Sequence, residues 1–295
     1  MLQNLNTEEI LASARRTMGA FRNFGYTFSS AVAEIIDNSI EAGANEIKIS
    51  LKFQGLDSCI TIADNGHGMG LKEITEAMRY GTEREYESTS LGKFGMGLKT
   101  ASLSQCRCLT VSSRKSLNTP YITGLRWDYD HILKKNRWEA IKLKNTELNS
   151  LLRKPLMKNT GTVVMWEKLD RLSDLNNPGG PVGKKRLNDI IKDLKLHLGM
   201  VFHKYTSGEI IGNNLKILIN EEELMPWDPF VRTEEKLEIL DPITIPIEKE
   251  GYKSEIILEP FILPKKTDFS SDSAFESASG PNKWNQQQGF YIYPE

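Results

Sequence analysis

Apolar residues recur along this chain with two periods, and the change from one to the other lays out its elements. At helical spacing, Phe28, Val32, Ile36 and Ile40, with Ile35 and Ser39 beside them, form one face. Glu34, Asn38 and Glu41 stack on the opposite side. Thr27 or Ser29 caps the start and Gly43 ends the helix. An earlier helix is expected over Asn4–Phe24, opening at Thr7 with Glu8 and Glu9 in its first turn. The period then drops to two. Ile47, Ile49, Leu51 and Phe53 alternate with polar neighbours as a half-buried strand, and Cys59–Ala63 forms a second.

Beyond them the pattern predicts a helix at Leu71–Arg79 and a short one ending near Gln105. Strands follow at Cys108–Ser112, Tyr121–Tyr129, Arg137–Lys142 and Thr162–Glu167, with a short helix before Pro155. Pro and Gly cluster in Leu175–Gly183 and periodicity stops there, which marks a domain boundary. The expected division is therefore residues 1–175, a linker at 176–185, and a second domain over 186–295. That second domain opens with a helix at about Arg186–Tyr205. Strands follow at Leu215–Asn220, Ile243–Glu248 and Ser254–Leu258, a Ser-rich stretch reads as mobile at Asp268–Pro281, and Gly289–Tyr293 reads as a strand.

Composition narrows the class. The chain has 295 residues with 38 basic and 39 acidic side chains, so no global basic field points to nucleic acid. Three cysteines, Cys59, Cys106 and Cys108, fit a reduced, cytoplasmic protein, and their spacing does not suit a zinc site. No stretch reaches membrane-spanning length, so no membrane partner is expected.

Three segments then stand together: the helix carrying Glu34 and Asn38, the strand ending in Asp64-Asn-Gly-His-Gly68, and Gly92-Lys-Phe-Gly-Met-Gly97 opening a helix. Each has a bland reading. Charges opposite an apolar stripe are commonly a solvated face, Asp-Asn-Gly after a strand is commonly a turn, and one glycine-rich loop is weak evidence. A dinucleotide-binding loop needs its glycines near the first strand, which they are not here.

In order and spacing, the three segments resemble the nucleotide-binding motifs of the GHKL ATPases: gyrase B, the Hsp-type chaperone, histidine kinases and MutL. Glu34-Ile-Ile-Asp-Asn38-Ser-Ile-Glu-Ala-Gly-Ala44 is similar to the first motif of MutL. Gly161-Thr162-Val-Val-Met-Trp166 is similar to the strand that closes the adenine pocket. The run Gly97-Leu-Lys-Thr-Ala-Ser102, paired with that Gly-Thr strand, looks most like the microrchidia (MORC) ATPases and their bacterial relatives.

The resemblance implies a Bergerat-type α/β sandwich, with a mixed, mostly antiparallel sheet and helices on one face, followed by an α+β transducer-like domain. It implies ATP and Mg²⁺ as cofactors, with Glu34 as general base and Asn38 offering its carbonyl oxygen to Mg²⁺. Asp64 would accept from the adenine amine, Gly66 and Gly68 would admit backbone close to the purine, and Met69 and Thr162 would complete that side. The loop and helix start at Gly92, Lys93, Phe94, Gly95, Met96, Gly97 and Leu98 would hold phosphates, with Lys99 adding charge and Tyr80–Leu91 serving as the lid. Asp37 has a supporting role only, and Glu41 reads as solvated surface.

The resemblance also implies slow ATP hydrolysis driving dimerisation of a molecular clamp on DNA, with other proteins of one pathway as partners and bacterial phage defence as an analogy. A nucleotide-switched binding module with little turnover, and a MutL-like mismatch-repair ATPase, stay open as alternatives. Relatives also use a transducer lysine at the γ-phosphate. Neither Lys265 nor Lys266 fits that part well, and the chain is expected to be a fragment ending inside its second domain.

Overall fold

The computed structural model describes residues 12–79, 96–119, 121–172, 180–210, 214–249, 252–280, 283–284 and 289–293. They divide into two compact units, Met1–Met225 and Pro226–Glu295.

The first unit begins with α1 (Ala14–Phe21), capped by the Ser13 hydroxyl, and α2 (Phe28–Glu41), capped by the Thr27 hydroxyl on Ser30 N at 3.1 Å. Strands β1 (Glu46–Lys52) and β2 (Cys59–Asp64) follow, then α3 (Leu71–Met78), α4 (Gly97–Gln105), β3 (Cys108–Arg114) and β4 (Thr123–Asp128). After α5 (Tyr129–Lys135) come β5 (Ile141–Leu143), α6 (Ser150–Arg153), β6 (Gly161–Glu167), α7 (Pro181–Val201), α8 (His203–Thr206), β7 (Lys216–Ile219) and β8 (Glu222–Glu223).

The strands form one sheet in the order β5-β4-β3-β6-β2-β1-β7-β8. Among the described residues only β1 and β7 pair in parallel, with Ile47 opposite Ile217 and Ile49 opposite Ile219. The strand alternation decides the layers. Ile60, Ile62, Leu109, Val111, Val164 and Trp166 face a buried core shared with Val32, Ile35 and Ile36 of α2, Leu103 of α4 and Leu194 of α7. Their neighbours Cys59, Ala63, Val163 and Met165 face the other way, against Leu148, Leu152 and Leu156 around α6. The expected mixed, mostly antiparallel α/β sandwich is therefore present. A short cover on the second face is added to the helical layer.

Two sequence expectations change here. The division between units falls at Met225/Pro226 rather than at 176–185, because α7 packs against α2 and β7 joins the sheet beside β1. Of the expected linker, residues 176–179 lie outside the described set, as do 4–11 of the expected first helix. Helix α5 was hidden between two expected strands. The Asp128 carboxylate caps it at Asp130 N (2.9 Å) and His131 N (3.3 Å), and Asn136 closes it in the left-handed region at φ 51°.

The second unit holds β9 (Glu238–Ile239), the hairpin β10 (Ile243–Lys249) and β11 (Tyr252–Leu258), β12 (Phe261–Ile262) and α9 (Asp272–Ala278). Its small core gathers Val231, Phe269 and Ala278 with Phe275 and Trp284. The Ser-rich stretch is helical where mobility was expected, because the Ser271 hydroxyl caps Ala274 N at 3.0 Å. Gly289–Tyr293 is not a strand, and Phe290 and Ile292 lie exposed.

A buried cation ties the end of α1 to the end of α4 and to the segment after β6. The Arg22 guanidinium donates to both Asp170 carboxylate oxygens at 2.6 Å and to the Cys106 carbonyl at 2.5 Å. The Arg22 and Arg107 guanidinium carbons each lie 4.9 Å from the Tyr129 ring centroid. Without Arg22, Asp170 would keep Arg107 at 3.5 Å and about a third of its side chain in solvent, which softens the loss. Arg22→Met should therefore lower unfolding free energy by about 2 kcal/mol, below the range for fully buried pairs, as read by urea denaturation.

Candidate nucleotide site

The first site residue is placed by the end of β2. Asp64 closes that strand, and its Oδ1 accepts from Gly66 N at 2.9 Å and from Thr162 N, on β6, at 3.1 Å. Its Oδ2 lies 3.3 Å from the Ser39 hydroxyl of α2, which also lies 3.0 Å from the Ile35 carbonyl. One carboxylate thus joins a helix, a turn and a second strand. Burial pushes the Asp64 carboxyl above its ordinary value, and the Gly66 and Thr162 amides and the Ser39 hydroxyl pull against that rise.

Backbone packing around this carboxylate excludes side chains. A Cβ on Gly66 would lie 2.7 Å from the Ala42 carbonyl at the end of α2. Gly68 takes φ +63° against the Arg114 carbonyl, and Gly161 takes φ +136° against that of Asp64. Ser113 bridges the same corner. Its hydroxyl accepts from Met69 N at 2.7 Å, lies 2.8 Å from the Gly161 carbonyl and 2.9 Å from Thr162 Oγ1. If Ser113 donates to Gly161, Thr162 donates to Ser113 and keeps lone pairs for a ligand.

Helix α2 supplies the opposite wall. Glu34 is half-buried and Asn38 exposed. The Asn38 amide nitrogen donates to the Glu34 carbonyl at 2.5 Å, which leaves its oxygen as the atom to offer a cation. The Glu34 carboxylate rests on Gly97 at the start of α4, where a Cβ would collide with Oε2. Burial, reinforced by the charges of Glu34 and Glu41, pushes the Asp37 carboxyl up to about 6. Among the described residues no three His, Cys, Asp or Glu side chains form a ready metal cage. The donor set here fits Mg²⁺ only as an ion that takes one neutral oxygen from the protein and the rest from phosphates and water.

The third motif is described only in part. Gly92, Lys93, Phe94 and Gly95 lie outside the described residues, as does the expected lid at Tyr80–Leu91. Met96 precedes α4, Gly97 opens it, and Leu98 packs on the main core. Lys99 was expected to add charge at the phosphates. Its side chain is buried, and Nζ donates to the carbonyls of Ala77 (3.0 Å) and Arg79 (2.7 Å) at the end of α3. Burial lowers its pKa to about 8. In this geometry its ammonium staples α3 to α4.

Three contributors escaped the sequence reading. Ser39 sat on the apolar face of α2, and a lone hydroxyl there was the available signal. Ser113 is the penultimate residue of β3, in the pair Ser112-Ser113 with one residue on each face, and no spacing cue marks its role. Tyr26 falls just before the cap of α2 and belongs to no periodic pattern.

With this geometry in view, the comparisons become specific. Residues 26–162 match the family described as histidine kinase-, DNA gyrase B-, and HSP90-like ATPase. This segment is similar to GHKL-type ATPase domains. Its chain is 37% identical over 101 residues to the DNA mismatch repair protein MutL of Halothermothrix orenii, covering 32% of this chain and 15% of that protein. It is 29% identical over 86 residues to the ATPase morc-1 of Caenorhabditis elegans, covering 29% of this chain and 10% of that protein. The chain therefore spans only a small part of the length of the curated relatives it matches.

Ser113→Ala would leave Met69 N and the Gly161 carbonyl without their shared partner in a buried corner. The expected outcome is a loss of about 1–3 kcal/mol in unfolding free energy, together with weaker ATP binding by calorimetry.

Proposed function

We propose that this chain binds ATP with Mg²⁺ in the corner bounded by α2, α4 and the Asp64 turn, and hydrolyses it. The observation that carries the reading is the contact of Glu34 with Gly97. It brings the carboxylate of the first motif to the helix start where the third motif would hold phosphates. Glu34 acts as general base on the attacking water, and Mg²⁺, when bound, neutralises phosphate charge. Asn38 would hold that ion through its carboxamide oxygen.

Asp64 recognises adenine. Its Oδ1 is committed to two backbone amides, so Oδ2 is the atom left to accept from the exocyclic amine, beside Ser39. Gly66 and Gly68 keep the floor open, and Thr162 contributes a hydroxyl from the facing strand. Met69, Met96 and Leu98 belong to the same nucleotide-binding set, together with the motif residues of 92–95.

The nucleotide cycle drives dimerisation of a clamp that acts on DNA. The likeness to a MutL and to a MORC ATPase supports this step, and the Gly97-Leu-Lys-Thr run favours the MORC side. The second unit serves as the transducer, and the protein works in the cytoplasm. The described residues contain no helix long and apolar enough to cross a membrane.

Glu34→Ala should retain ATP binding while turnover drops by roughly 10²-fold or more, as for loss of a general base. Undiminished turnover in that variant would remove the assigned mechanism. Asp64→Asn should abolish nucleotide binding, because an amide placed toward Ser39 meets the adenine amine donor to donor; normal affinity would remove the adenine assignment. Light scattering with a non-hydrolysable analogue should show a doubled mass, and a mass unchanged by nucleotide would reject the clamp.

A further inference from the structure

Glu34 has a neighbour outside every motif. Tyr26 stands one residue before the cap of α2, and its backbone carbonyl accepts from the buried Gln105 Nε2 at 3.1 Å. Its ring is half-buried against the main core. The phenolic oxygen lies 3.4 Å from Glu34 Oε1. On the other side of the carboxylate, Oε2 rests on Gly97. The two oxygens therefore have different surroundings, a hydroxyl donor for one and bare backbone for the other.

We propose that Tyr26 is a positioning residue for Glu34, donating its phenolic proton to Oε1 and holding the carboxylate in one rotamer against Gly97. The direction of the bond follows from chemistry, since an ionised carboxylate only accepts. Burial and the adjacent Glu34 raise the phenol above its ordinary pKa, against the pull of the Thr100 hydroxyl, so the proton stays on Tyr26. A glutamate side chain has three rotatable bonds, and an unanchored one samples orientations in which neither oxygen faces the attacking water. The separation is long for such a bond, as is usual before substrate fills a site and tightens it. Gly97 completes the device by leaving room for Oε2. The proposal rests on the reading of Glu34 as general base, and its test separates the two.

Tyr26→Phe removes one hydroxyl and keeps the ring. The expected result is a kcat lower by about tenfold with the KM for ATP within twofold, because the phenol reaches the carboxylate and not the nucleotide. In a Glu34→Ala background the same change should cost nothing further; an undiminished additional loss there would mark a merely structural effect and overturn the proposal. A second readout needs no turnover. With ¹³C-labelled glutamate at fixed pH, the Glu34 carboxyl resonance should move and broaden in Tyr26→Phe while the other glutamates stay put. An unchanged Glu34 signal overturns the positioning role. If wild-type protein fails to hydrolyse ATP while Tyr26→Phe still moves the Glu34 resonance, the hydrolase reading is overturned and the positioning role stands.

Discussion

One half-buried carboxylate organises the site. Asp64 sits where three pieces of chain distant in sequence converge: Ser39 on α2, the turn at Gly66, and Thr162 on β6. A buried carboxylate without donors is costly, so this corner forms only when all three arrive together. The glycines follow from the same demand. Gly66, Gly68 and Gly161 let backbone approach Asp64, Ala42 and Arg114 at distances that any side chain would forbid. The motif residues are spaced along the chain as they are because each supplies one side of this corner.

The sequence made the sheet and its helices legible where periodicity was sustained. Helix α2, strands β1 and β2 and the strand carrying Trp166 lie within a residue or two of expectation, since each has a long apolar face to bury. Misses came where a local hydrogen bond overrode composition. Helix α5 is two turns held by the Asp128 cap, and α9 is a Ser-rich helix held by Ser271. The boundary between units was misplaced for another reason. A Pro/Gly cluster marks a break in periodicity, yet the pairing of β7 with β1 is long-range and leaves no local trace.

The candidate site was proposed from residue types and order, and the structure adds how those residues touch. Order alone placed Glu34 and Gly97 in separate motifs, and only the fold brings the carboxylate onto the glycine. Lys99 illustrates the reverse. A lysine beside a glycine-rich loop invites an anion, and in the fold this one is buried and donates to two carbonyls at the end of α3. Side chains such as Ser113 and Tyr26, which act on other protein groups, carry no signature of their own because their partners are defined only after folding.

The parallel pairing of β7 with β1 has a consequence for how the molecule is divided. Strand β1 lies between β2, its neighbour in sequence, and β7, which arrives some 160 residues later. A chain truncated after β6 would leave β1 as a bare edge, its unpaired amides and carbonyls open to pairing with another copy. It would also strip from the main core the α7 side chains Ile190, Leu194 and Leu198 that pack into it. Such an excised domain would contain every nucleotide motif and still be prone to aggregation. The unit that folds is longer than the unit that carries the chemistry.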